Sequence, residues 1–488
     1  MARTIATHRL AQLLGDAPRR PPAYRSLAAA MRLLVDDGRV PAGTRLPSER
    51  SLADALGVSR ATVTRAYAVL GEGGYARSRR GSGTVTDLPD AASRDGRGAL
   101  LPTSDEADHG RGTLIDLTCA VLPPPAQMMA AYERALTRWP TYLQGSGYYP
   151  LGVPALREAI AARYTERGLP TSTDEVMITS GAIGAHALTA RAHLQPGTRV
   201  LVDSPVYPNG TESLRADGAR LVAMPLDDGW DLDAWSAAMR DAAGRVGPGA
   251  ALLLPDHQNP TGLLMADDER AHLGRALTRH RMLAVVDETL AETSIDPPAT
   301  GMPAPFAAHH RRTVTIGGAS KSHWSGLRIG WVRAPAELMG ALVAARTTLD
   351  LGSPVLEQLA LLELLADDAE ISAHRAALAR SRRDVLATAL HEHLPEWRFT
   401  LPAGGFCLWL TLPAPVSTAF VLSAETHGVL LAPGPRFAPE PGLERHLRLP
   451  FTLPEPVLHE AVRRMALAWG SLEASPGSTR QPATPLIA

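Results

Sequence analysis

From about residue 150 onward, short apolar runs alternate with stretches of helical patterning, and this alternation narrows the fold more than any other feature of the chain. The runs fall at 176–178, 200–202, 221–224, 251–254, 283–286 and 314–316. They are short, continuous and rich in Val, Ile, Leu and Ala, as strands buried on both faces must be. Segments 154–167, 182–193 and 267–280 read as helices between them. Strand, helix, strand in this order builds a mostly parallel sheet wrapped by helices, an α/β fold. Farther on, residues 375–470 carry apolar segments at 399–401, 406–412 and 446–449 and read as a smaller C-terminal α+β subdomain. A chain of 488 residues also exceeds what one ordinary core serves, so a second domain is expected.

That second domain lies at the N-terminus. Tyr24, Leu27, Ala28, Met31, Leu34 and Val35 share one helical face. Ser48 can cap a second helix through Leu52, Ala55 and Leu56; Gly57 and Val58 turn the chain. Ser59 can cap a third helix to about Leu70, with Val63, Tyr67 and Leu70 inward. Residues 74–85 then read as two short strands around a basic tip. Residues 1–86 hold 14 Arg and 6 acidic residues, a charge of +8, and the remaining 35 basic and 44 acidic residues give −9. A basic small domain joined to an acidic large one suits a reader of double-stranded DNA. The organisation is therefore 1–87 for a winged-helix DNA-binding domain and 88–113 for a linker poor in large apolar side chains. A large domain follows over 114–475, then a Ser/Pro/Thr-rich tail over 476–488.

A helix whose outer face carries Arg and Thr can enter the major groove while flanking arginines hold phosphates. Candidate DNA contacts are Arg45, Ser48, Arg50, Ser59, Arg60, Thr62, Thr64 and Arg65, with Arg77, Arg79, Arg80, Gly81 and Gly83 in the wing.

The large domain has one further peculiarity. Of 49 basic side chains, 48 are Arg and only one, Lys321, is Lys. Arg cannot lose its proton in proteins, whereas a Lys amine can, so a lone lysine points to imine chemistry with an aldehyde. Pyridoxal 5'-phosphate needs such an amine, a carboxylate to keep its ring nitrogen protonated, and donors for its phosphate. Asp287, directly after the run at 283–286, suits the ring nitrogen, Asn259 the ring hydroxyl, and Tyr207 the ring face. Ser180, Gly181 and Ala182 open a helix whose free amides can meet a phosphate, with Ser320 and Arg328 beside them. Arg448 is placed to receive an effector's carboxylate. Taken singly, each has a plainer reading: Asp287 as a loop cap, Tyr207 as core, Arg448 as a surface arginine.

Residues 44–50 (Thr-Arg-Leu-Pro-Ser-Glu-Arg), Leu56-Gly-Val-Ser-Arg60, Ala66-Tyr67 and Arg80-Gly-Ser-Gly-Thr84 resemble the GntR-type winged helix over about 24–86. Asn259-Pro-Thr-Gly262, Ser320-Lys321 and Arg328 resemble fold-type I aminotransferases over roughly 115–470. Joined, the two resemble the MocR family of bacterial regulators, and the opening Met1-Ala-Arg-Thr-Ile with Gly317-Gly-Ala-Ser-Lys321 is similar to its YczR-like subgroup. The resemblance implies a head-to-tail homodimer in which Tyr148 reaches the neighbour's cofactor phosphate. It also implies a cytoplasmic regulator that senses pyridoxal phosphate or its imine with an amino compound. Two rivals stay open: a working aminotransferase that also binds DNA, and a regulator whose large domain only dimerises. Three positions depart from the family pattern. Thr289 stands where a tyrosine usually helps the ring hydroxyl, Gly318 where a phosphate-binding serine is common, and Asn209 where the GABA-responsive branch has an arginine. No metal-ligand pattern is evident: Cys119 and Cys407 are far apart in sequence, and no apolar run is long enough to span a membrane.

Overall fold

The computed structural model describes residues 3–15, 22–36, 40, 44–79, 83–86, 114–242 and 249–473. Arg80, Gly81, the expected linker at 88–113 and the tail at 476–488 lie outside the described residues. The described residues fall into two units, 3–86 and 114–473, each taken by itself.

The first unit runs β1 (Arg3–Thr4), α1 (Thr7–Leu14), α2 (Ala23–Asp36), β2 (Thr44–Arg45), α3 (Glu49–Leu56), α4 (Arg60–Glu72), β3 (Ala76–Arg79) and β4 (Gly83–Thr86). Ser48 and Ser59 cap α3 and α4, their hydroxyls accepting from the amides of Ser51 and Thr62, each at 3.1 Å. Gly57 ends α3 at φ 66°, a conformation that costs glycine nothing. Leu27, Met31, Leu52, Val63, Tyr67 and Leu70 meet in the core, as the periodicity requires. The strands lie in the order β1-β2-β4-β3, with the β3–β4 hairpin as the wing. Helix α1 and strand β1, which pairs in parallel with β2, add a part the sequence pattern had not marked.

The second unit continues with β5 (Ile115–Asp116), α5 (Met128–Arg138), α6 (Pro154–Glu166), β6 (Val176–Thr179), α7 (Gly181–His193), β7 (Arg199–Ser204), α8 (Pro208–Ala216), β8 (Arg220–Pro225) and α9 (Leu232–Ala242). Next come β9 (Ala250–Leu253), α10 (Asp267–Arg279), β10 (Leu283–Asp287), β11 (Thr313–Gly318), β12 (Gly330–Arg333), α11 (Ala336–Arg346), α12 (Val355–Ala366) and α13 (Asp368–His393). The chain ends through β13 (Cys407–Thr411), α14 (Ser417–Thr426), β14 (Val429–Leu430), β15 (Ala432–Pro433), β16 (His446–Pro450) and α15 (Glu455–Glu473).

Seven strands form the large sheet in the order β6-β12-β11-β10-β9-β7-β8. All six expected runs are strands of it, and they are parallel to one another. The seventh, β12, was not anticipated; it runs antiparallel to both β11 and β6. The sheet is thus mixed, because the chain returns directly from β11 through the Lys321 turn instead of crossing over by a long helix. Alternate residues serve opposite faces. Val200 and Val202 pack with Leu188, Leu214 and Leu342 of the helices on one side, and Leu201 packs with Trp235, Met239 and Leu277 on the other.

The smaller subdomain has a three-stranded antiparallel sheet, β13-β16-β15, covered by α13, α14 and α15, with Trp397, Phe420 and Trp469 in edge contact. Residues 399–401 form no strand; only a bridge from Arg398 to Thr411 occurs there. The segment from Ile115 to Leu122 also belongs to this core, since β5 pairs with β14. A two-residue strand is too short for any periodicity to announce. Among the described residues no helix is long and apolar enough to cross a membrane.

Gly330 brings α7 onto the sheet. A Cβ there would lie 2.6 Å from the carbonyl carbon of Gly181 and 2.7 Å from the amide of Ala182, and backbone cannot step aside cheaply. Gly330→Ala is therefore expected to destabilise the large unit by about 1–3 kcal/mol, read as a lowered Tm. An unchanged Tm would show that the helix start is not held against β12.

Candidate cofactor and DNA-binding sites

The carboxyl ends of β6, β10 and β11 open on a cleft. Tyr207, Asn259, Asp287, Ser320, Lys321, Arg328 and Ala182 all line it, so residues spread over 147 positions of sequence (182 to 328) converge on one place. This is where the edge of an α/β sheet leaves room for a ligand.

Lys321 sits on a single π-helical turn, Ser320–Trp324, directly after β11. Its Nζ donates to the carbonyl oxygen of Ala120 at 2.9 Å. Burial, followed by the nearby Arg448 guanidinium, lowers its pKa from the ordinary 10.5 to about 8, with Cys407, Cys119 and Asp287 pulling weakly the other way. Asp287 is buried at the end of β10. Burial alone would raise its pKa, but His186 Nε2 lies 2.9 Å from Oδ2, and the amide and hydroxyl of Thr289 donate to Oδ1 at 2.9 and 2.6 Å. The net direction is downward, and the carboxylate stays charged. His186 was missed in the sequence; its only signal there is a histidine one and a half turns into the helix that opens at Gly181.

At the other end of the cleft, α7 begins at Gly181 (φ 77°), where a Cβ would meet the Arg328 guanidinium at 2.8 Å. Only glycine lets Arg328 lie against the helix start, where free amides and a cation together suit an anion. The Ser180 hydroxyl does not join them. It donates to Asp350 Oδ2 at 2.7 Å, leaving the amides of Gly181 and Ala182 as the groups that can face a phosphate. Asn259 is buried with its amide oxygen lacking a partner. Tyr207 lines the cleft, its hydroxyl accepting from Asn209 Nδ2 at 2.9 Å. Thr289 cannot substitute for a tyrosine at the ring hydroxyl, because its own hydroxyl is spent on Asp287; Leu290 lines the cleft beside it.

Arg448 is not a surface arginine. It is fully buried on β16, with Nη2 donating to Thr118 O and its guanidinium 4.9 Å from the Phe437 ring centre. Tyr148 is 67% exposed and lies outside the cleft lining. Glu292, His323 and Asp368 also cluster, but Arg163 pairs with both carboxylates and already supplies the cation there.

In the first unit, Arg50, Arg60, Thr64, Arg65 and Arg77 are exposed. Some are engaged. Glu49 Oε2 accepts from Thr64 Oγ1 at 2.8 Å and from Arg60 Nε at 3.3 Å, and the Arg65 guanidinium lies 4.3 Å from the Tyr24 ring centre. Thr62 is half-buried, with its hydroxyl 2.9 Å from that of the cap Ser59. Arg45 lies over the wing glycine Gly83, whose Cβ would approach its Nε to 3.1 Å. Arg79 belongs to β3.

Comparison with known proteins supplies the family. The aminotransferase class I and II family matches residues 144–465, and the gntR family of bacterial regulatory proteins matches residues 23–85. The HTH-type transcriptional regulator YdcR of Escherichia coli is 28% identical over 87% of this chain and 94% of its own length. The probable rhizopine catabolism regulatory protein MocR of Rhizobium meliloti is 28% identical over 77% of this chain and 78% of its own. The chain belongs to the MocR-type GntR regulators. In structure, the large unit of this MocR-type regulator resembles LysN, the α-aminoadipate aminotransferase of Thermus thermophilus complexed with N-(5'-phosphopyridoxyl)-L-leucine. The TM-score is 0.66 at 27% identity, covering 79% of this chain and 99% of that one.

Its cofactor is pyridoxal 5'-phosphate. The residues present fit it: a lowered lysine amine, a charged buried carboxylate, an unpartnered Asn259 oxygen, and a glycine cradle at the start of α7. When bound, the group supplies an aldehyde for an amine and an electron-withdrawing ring. Because Lys321 is the sole lysine, its capture of pyridoxal phosphate can be trapped with borohydride and located by mass spectrometry. Capture should rise with pH around a midpoint near 8, since below it the amine is protonated and inert. A midpoint close to 10.5 would show that Lys321 is not buried beside Arg448.

Proposed function

We propose that this DNA-binding regulator senses pyridoxal phosphate, or the cofactor's adduct with an amino compound, and passes its occupancy to the winged helix. The observation that carries this reading is the chain's one lysine. Its amine, with a pKa lowered to about 8 by burial and then by the Arg448 guanidinium, lines one cleft with the charged Asp287, in a chain that also bears a gntR-type winged helix.

In this reading Lys321 bonds the cofactor, and Asp287, oriented by His186 and Thr289, holds a proton on the ring nitrogen. Asn259 meets the ring hydroxyl and Tyr207 covers the ring. Ser320, Arg328 and the amides of Gly181 and Ala182 hold the phosphate, and Arg448 takes an effector's carboxylate. Residues 1–87 bind operator DNA, 88–113 link, and 114–475 sense. A small-molecule amine or amino acid reports through the cleft by favouring one of two states of the large domain, as any coupled binding must.

A homodimer completes the arrangement. Met129, Leu136, Leu143, Tyr148, Leu349 and Leu351 are large hydrophobic side chains that stand exposed. A head-to-tail partner would cover them and bring Tyr148 to the neighbour's phosphate. The protein acts in the cytoplasm, where its DNA is.

Turnover as an aminotransferase is the second reading, favoured by Lys321, Asp287 and Arg448 standing together. Complete conversion of the bound cofactor to its amine form by an amino acid at about 1 per second or faster would select it.

Binding to the chain's own upstream DNA, followed by fluorescence anisotropy, tests sensing. The apparent Kd is expected to differ by about fivefold or more between cofactor-loaded and cofactor-free protein, and Lys321→Ala should erase the difference. Equal affinities in wild type would remove the case for sensing. Arg50→Ala and Arg60→Ala should each weaken binding by about 1–3 kcal/mol, whereas Arg311→Ala, in the large unit, should not.

A further inference from the structure

We infer that Arg375 is a positioning residue for the Lys321 amine: it fastens the turn that carries Lys321 to the segment that accepts the amine's hydrogen bond. This deepens the cofactor reading above and rests on Lys321 as the amine that captures the cofactor.

Arg375 is buried on α13, and its fork spans two segments. Nη2 donates to the carbonyl oxygen of Lys321 itself and Nη1 to that of Pro123, each at 2.9 Å. Three residues before Pro123, the Ala120 carbonyl accepts from Lys321 Nζ, also at 2.9 Å. Lys321 is thereby held by both its backbone and its amine to one short stretch of chain, 120–123.

Arg375 is retained at a cost. Among the described residues no carboxylate pairs with it, and burial lowers its pKa to about 10. An apolar side chain would fill the space without desolvating a charge, but it would take the donor from both carbonyls. A planar fork that donates from two nitrogens serves both at once.

The place of Arg375 on its helix gives this grip a consequence. Ile371, Arg375 and Ala379 follow at four-residue spacing on one face of α13. Ile371 packs in the core that includes Ala319 and Leu327, on either side of the Lys321 turn, whereas Ala379 packs in the smaller subdomain's core with Ala120 and Leu122. Arg375 stands where one core gives way to the other. Seven residues before it, about two helical turns, Asp368 Oδ1 lies 3.2 Å from His323 Nε2 of the same Lys321 turn. Helix α13 therefore meets that turn at two points.

Burial is the largest influence on the Lys321 amine, followed by Arg448 on β16, Cys407 on β13, Cys119, and Asp287 on β10. Arg375 is not one of these charges. It acts through position, keeping 120–123 against the amine and water away from it.

The test is borohydride trapping of pyridoxal phosphate on full-length protein across pH, with the site located by mass spectrometry. In Arg375→Met the midpoint of capture at Lys321 should rise from near 8 by about 1 or more toward the ordinary 10.5, because a loosened segment lets water reach the amine. Arg375→Gln, which keeps a donor for one carbonyl, should fall between. Arg157→Met is the control for lost stability alone. Arg157 is also buried and donates to Val176 O and Thr173 O at 2.9 and 2.6 Å, at the end of β6 opposite the cleft, so its loss should leave the midpoint unmoved. An unmoved midpoint in Arg375→Met, or an equal rise in Arg157→Met, would overturn the assignment. Wild type alone offers a second measurement: cofactor loading should slow deuterium exchange in 118–123 and 320–324 together, and slowing confined to 320–324 overturns the grip. Absence of any capture at Lys321 in wild type overturns the cofactor reading instead, which is a separate result.

Discussion

The Lys321 amine, desolvated and under the influence of the buried Arg448 guanidinium, sets the chemistry of the large unit. An interior site cannot cheaply hold both charges, and a guanidinium does not give up its proton, so the lysine yields. The same stretch of chain serves both: Ala120 O accepts from Lys321 and Thr118 O from Arg448. That stretch is fixed by β5, a two-residue strand paired with β14 of the smaller subdomain. The reactivity of one amine thus depends on the docking of a segment about 200 residues away in sequence.

At Asp287 the same physics runs the other way. Asp287 is buried, and burial alone would raise its pKa. His186 from α7 and both groups of Thr289 offset that cost and keep it charged. One cleft therefore holds an amine pushed toward neutrality and an acid kept ionised, which are opposite outcomes of burial decided by neighbouring charges and donors. The glycines support this at the backbone level. Gly330 and Gly181 let the start of α7, the sheet and Arg328 approach within distances that any side chain would prevent.

The winged helix shows a smaller adjustment of the same sort. Residues on the outer face of α4 are exposed, as expected, but Thr64 and Arg60 are held by Glu49 at the start of α3, and Arg65 rests on Tyr24. These contacts limit the side-chain freedom that DNA binding would otherwise have to remove.

Much of this was legible before folding. The six buried strands show as continuous apolar runs because a sheet covered on both faces tolerates little else, and the caps Ser48 and Ser59 show because helix starts need acceptors. Lys321 shows because a composition of 48 arginines made it conspicuous. Other features left no local trace. Strand β12 is antiparallel because the Lys321 turn is tight; Ser180 turns to Asp350; Thr289 spends its hydroxyl on Asp287; and His186 meets Asp287 across 101 positions. Residue types and spacing determined which groups were available. Which of them pair, which stay charged and which are left with unmet donors was decided only when distant segments packed together and excluded water, because hydrogen-bond partners and desolvation are properties of the assembled interior rather than of neighbours along the chain.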